Sequence, residues 1–146
     1  MLLPEDIRQN LAEQFTFAVE RMVQATTTRD APNQLYYFSA FYSELNRTFN
    51  RHWDPELALL HLVLHDTHNK IITRVSQQGA GVSPQIGVPV ALLEELTRQA
   101  VKLTALFHED EVNVLELHAI ETRISELAYV CTGNGFYLFQ RGLIKI

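Results

Sequence analysis

Cysteine occurs once in these 146 residues, at Cys131. A single thiol excludes an intramolecular disulfide framework, so the core must hold without covalent staples. A basic excess is also missing: 12 Lys and Arg stand against 17 Asp and Glu, a formal net charge of −5 with His neutral. Without that excess the electrostatic drive toward a phosphate backbone is absent, and a nucleic-acid partner is not expected. No apolar run reaches the ~18 residues that a spanning helix needs, so no membrane segment is expected. Met1-Leu2-Leu3-Pro4-Glu5-Asp6 lacks a charged stretch followed by an apolar one. No secretory signal is expected from it, and the cytoplasm is the default compartment.

Catalytic signatures are equally scarce. No GxSxG elbow occurs, and Gly79-Ala80-Gly81 has neither the preceding strand nor the spacing of a dinucleotide loop. Cys131 sits in an apolar setting near a predicted helix end, which reads as a buried, inert thiol. The acids Glu94-Glu95 and Glu109 to Glu111 read as solvated faces or caps. No catalytic residue is assigned, and whether the chain is an enzyme stays open.

What the chain does carry is helical periodicity. Its length fits one domain over 1–146 with a self-sufficient core, and an apolar share of 47% is that of an ordinary globular protein. Pro4, followed by Glu5 and Asp6, suits a first helix. Its inward face is Ile7, Leu11, Phe15, Ala18, Met22 and Ala25. A second helix is expected over about 33–51, with Leu35, Phe38, Tyr42, Leu45 and Phe49 as its stripe. Asp54-Pro55 is a cap and first residue for a third, running to about 78. Gly79, Gly81, Pro84, Gly87 and Pro89 fall within eleven residues and predict a flexible loop over 79–89. A fourth helix follows over about 89–108. The fifth runs to about Val130, with the acidic stretch Glu109-Asp110-Glu111 suiting its start. Thr132-Gly133-Asn134-Gly135 stops it. The tail at 132–146 is rich in β-formers, and Arg141-Gly142 offers a turn, so an extended segment or small hairpin is expected there. The fold class is all-α, an antiparallel bundle of about five helices with this short C-terminal extension.

Three histidines make the most informative pattern. His61, His65 and His68 follow i, i+4, i+7 spacing on the third helix and share one face. At ~100° per residue from Leu57 they lie near 40°, 80° and 20°, an arc also holding Leu64, Ile71, Ile72 and Val75. The imidazoles are therefore expected to point toward the core, where their nitrogens need hydrogen bonds, protons or a metal. An i, i+4 pair is a chelating spacing, and bundle metal sites take further ligands from a facing helix. On the fifth helix Glu121 lies at the edge of the apolar face, with His118 one turn earlier. If the third and fifth helices pack together, His61, His65, His68 and Glu121, with His118 as a fifth candidate, surround one Zn, Fe or Mn ion. The alternative is a set of core-edge histidines bonded to carbonyls, Glu121 or tyrosine hydroxyls. No Glu follows His61 in the manner of a zinc metalloprotease. The spacing superficially resembles metal-binding four-helix bundles of the hemerythrin-like or DinB-like kind. Their ligand order along the chain is not reproduced, and no residue role carries over.

Arg47 and His52 form a second constellation, an arginine, four residues, then a histidine. It resembles the short motif of HEPN-type ribonucleases, which are helical and dimeric; that resemblance implies a ribonuclease as a remote alternative. The motif spans six residues and lies early in the chain, an awkward position for that family.

Aromatic and apolar surplus points instead to partners. Leu59, Leu62 and Val63 lie opposite the histidine stripe, so the start of the third helix is apolar all round and calls for cover on both faces. Tyr36, Tyr37, Phe41 and Trp53 are types enriched at interfaces. The tail from Phe136 to Ile146 is apolar on both faces of a strand, and is expected to pair with a second chain rather than cover its own bundle. The sequence therefore reads foremost as a non-enzymatic, self-associating interaction or regulatory protein, a two-fold homodimer by default, with room for another protein partner. A metal-binding bundle is the second reading.

Overall fold

In a computed structural model describing residues 1–77 and 88–146, the chain forms six helices. They are α1 (Glu5–Thr27), α2 (Ala31–Arg51), α3 (Pro55–Gln77), α4 (Val90–His108), α5 (Val114–Val130) and α6 (Gly133–Gln140). Among the described residues there is no strand, and the all-α bundle expected from periodicity is the fold. Residues 79–87 of the expected loop lie outside the described residues.

Local chemistry explains most of the boundaries. Arg29 takes a left-handed φ of 56°, which reverses the chain after α1. Asp30 then caps α2, its carboxylate accepting from the Asn33 amide at 3.2 Å. Asp54 caps α3 in the same way, accepting from Glu56 and Leu57. The acidic run Glu109 to Glu111 does not begin α5. Asn113 does, because its side-chain oxygen accepts from the amides of Leu115 and Glu116. A cap with two donors outweighs the weaker pull of charge on the helix dipole.

The helices close a ring in the order α1, α2, α3, α5, α4 and back to α1, with α2 also meeting α4 across the interior. Adjacent ring members run antiparallel except α3 and α5. That pair runs the same way: Glu56 at the start of α3 meets His118 near the start of α5, and Arg74 near its end lies over Phe136 just past α5. The centre is aromatic. Phe15 stacks on Phe41 with centroids 4.2 Å apart and meets Phe107 edge-on at 5.6 Å. Arg8 is buried and donates from Nη1 to the Phe107 carbonyl at 2.7 Å, closing the C-terminal end of α4.

The tail departs from the extended segment expected. Thr132 caps a short helix by accepting from the Gly135 amide at 3.1 Å, and Gly142, at φ 75°, supplies the left-handed stop after it. Gly135 is required by proximity: a Cβ there would lie 1.8 Å from the Tyr129 carbonyl oxygen. α6 packs on α5, and Phe139, Ile144 and Ile146 lie against the chain's own core. The tail thus covers its own bundle.

Candidate functional site

α3 is a flank of the ring, with α2 on one side and α5 on the other. This position decides where its side chains go. Leu57, Leu60, Leu64, Thr67 and Ile71 are each 0% exposed. On a wheel they centre about 40° to one side of Leu57, while the histidines lie on the other side. The imidazoles consequently face the α2 seam rather than the core. His61 and His68 are half-buried and His65 is exposed, which corrects the expectation of inward-pointing rings.

Along this seam each histidine meets a polar residue of α2. His61 Nε2 donates to Asn46 Oδ1 at 2.8 Å, and His68 Nε2 is hydrogen-bonded to the Ser39 hydroxyl at 2.8 Å. His65 Nδ1 is bonded to the Tyr42 hydroxyl, and the Asn69 amide reaches its Nε2 at 3.0 Å. The rings also stack: Phe49 on His61 at 4.5 Å, His61 on His65 at 5.7 Å, and Tyr42 on His68 at 5.0 Å. Burial holds His61 and His68 below the ordinary imidazole value, and the neighbouring His65 adds to the effect. Burial likewise raises the Tyr42 phenol. The seam is a zipper of hydrogen-bonded side-chain donors and acceptors.

Glu121 and His118 belong to a different cluster, on the α5 side of α3. His118 Nε2 donates to Glu56 Oε2 at 2.9 Å and lies 3.8 Å from Glu121 Oε1. The Glu121 side chain is 4% exposed, against 45% for His118 and 27% for Glu56. Neither Glu121 oxygen has a hydrogen-bond partner. Burial pushes its carboxyl up to about 7; His118 works against this and Glu56 adds to it. Sequence reasoning placed Glu121 at the edge of its apolar face and missed its depth, because the helix covering it, α3, is remote in sequence.

The five candidate ligands are thus divided by the body of α3: His61, His65 and His68 toward α2, Glu121 and His118 toward α5. Among the described residues no group of three or more His, Cys, Asp or Glu is gathered so as to hold a metal ion. Arg47 pairs with Glu44 of its own helix at 2.8 Å, and His52 sits at the C-cap of α2. Cys131 is buried, and burial raises its thiol to about 11, an inert setting. A groove of about 660 Å³ between α4 and α5 is lined by Glu95, Gln99, Lys102, Leu106, Ile120 and Arg123 among others. Two of its charges are engaged with one another, Arg123 reaching Glu95 at 3.3 Å.

No family model, curated protein or solved structure matches this chain. No described helix is long and apolar enough to cross a membrane.

Proposed function

We propose that the chain is a non-enzymatic, self-associating interaction protein and that a second copy docks on the outer face of α3. The observation that supports this reading is the apolar surface of that helix. Leu62 is 62% exposed, and Leu59 and Ile72 are also exposed. Trp53, 71% exposed, stands just before α3. Large side chains of this kind gathered on one element mark an association surface more than a solvated one.

A second copy is the occupant because this face is electrically balanced within a chain of net charge −5. Beyond Leu62 the outward charges are Asp66 and Lys70, paired at 3.0 Å. Two identical acidic chains meet there without opposing like charges, and a two-fold contact needs only a self-complementary patch.

Light scattering at micromolar concentration should give twice the chain mass. Leu59→Glu with Leu62→Glu should return the mass to one chain while the helical circular dichroism is kept. Deleting residues 136–146 tests the rival surface. Loss of the dimer in that truncation, with the double Glu variant still dimeric, would move the interface to the tail. A wild-type monomer throughout would remove self-association.

A further inference from the structure

The least explained group in the molecule is the Glu121 carboxyl. It is buried between two parallel helices, and neither of its oxygens has a partner. A buried polar group left in this condition costs free energy, and more if ionised. One donor stands nearby, His118 Nε2, and it is committed to Glu56 on α3. A single N–H therefore faces two carboxylates, one across the helix interface at 2.9 Å and one on its own helix at 3.8 Å.

We infer that the α3–α5 contact is set by one proton on Glu121. With the proton in place, Glu121 is neutral and makes no demand on His118, which ties α5 to Glu56 of α3. When the proton leaves to solvent, a carboxylate remains in an apolar setting beside His118 Nε2, the one side-chain donor found near it among the described residues. The His118 N–H is then drawn to Glu121 within α5, and the tie to Glu56 is released. The start of α3 loosens as a result. The inference does not depend on self-association, since every group in it belongs to one chain.

The charged surroundings are few. α5 contributes His118 and α3 contributes Glu56, the two groups whose charges act on Glu121. On α4, Glu95 is bonded to Arg123 of α5; Arg123 lies about 160° around α5 from Glu121. α6 carries no charged side chain. A carboxyl raised to about 7 places the release near neutral pH.

Carbon NMR of the Glu121 carboxyl in the intact chain, with amide hydrogen exchange over Leu57 to Leu62, tests this. The carboxyl should titrate near neutrality. Through the same midpoint, protection of the first turns of α3, corrected for intrinsic exchange, should fall roughly threefold to tenfold, the worth of one net hydrogen bond. Glu121→Gln, which keeps the neutral shape, should hold that protection constant across the range. Glu56→Ala, which removes the acceptor and its charge, should lower the Glu121 titration somewhat and lose most of the pH response in α3. A Glu121 carboxyl that titrates near 4, or α3 protection that does not change through its midpoint, overturns the inference. So does a Glu121→Gln chain with the wild-type pH response. If that variant does not fold, the wild-type titration and exchange decide alone.

Discussion

Two sets of titratable side chains flank α3, and they pull stability in opposite directions with pH. Glu121 keeps its proton in the folded chain up to about 7, against 4.5 as the ordinary value. Between those values the folded state holds a proton that the unfolded state has released, so stability falls as pH rises across that window. Glu121→Leu, similar in volume and free of the buried charge, should therefore stabilise the chain by about 1–3 kcal/mol at pH 8, and by less at pH 5. Urea unfolding at the two pH values measures it. His61 and His68 are shifted down. Below the unfolded imidazole value of 6.5 the unfolded chain binds protons that these folded rings refuse, so stability falls as pH drops from there toward the folded values. His68→Leu should remove part of that acid-side slope; a profile parallel to wild type would exclude His68 as its source. Metal is a separate question at the same residues. With ring nitrogens bonded to Asn46, Tyr42, Asn69 and Ser39, untagged protein purified without chelator should carry Zn, Fe or Mn well below one per chain by elemental analysis. Stoichiometric metal lost in the His61→Ala, His65→Ala double variant would contradict the zipper.

Elements show how far a local pattern reaches. Some local signals were legible: Asp54-Pro55 starts α3 as its chemistry demands, although Asn113 and not the acidic run starts α5. The α1 stripe from Leu11 to Ala25 is buried, but on α2 Tyr42 and Phe49 are half-buried and Phe41, expected at an interface, lies in the core. The tail was not legible, because Phe, Tyr, Leu and Ile serve a short helix as well as a strand once a surface is offered. That surface is the end of α5, and it admits α6 only because Gly135 lacks a Cβ against the Tyr129 carbonyl. Gly135→Ala should accordingly displace α6. Amide exchange over residues 133–140 should rise, while the helical signal of residues 5–130 is largely kept. Unchanged protection of α6 would show that its seat does not depend on that close approach. Where the Arg74 guanidinium lies 3.7 Å from the Phe136 ring centre, the same displacement removes a cation–π contact.

At the scale of the whole molecule, the ring order decides what each face of a helix meets. Apolar periodicity alone determined that the fold is an all-α bundle, where its five long helices lie, and that α3 carries three imidazoles on one side; it did not determine that the tail is helical. It also left that helix with more apolar surface than one neighbour covers, which is why the chain reads as self-associating. Only the tertiary structure decided which neighbours α3 has. A wheel gives angles relative to the helix's own axis and contains no information on the direction of the core. With α2 and α5 as its flanks, the histidines turn to a hydrogen-bonded seam. Glu121 is sealed beneath α3 with an imidazole shared across the contact. Burial and hydrogen bonding set the protonation of such groups, and both come from residues distant in sequence, His118 reaching Glu56 across 62 positions.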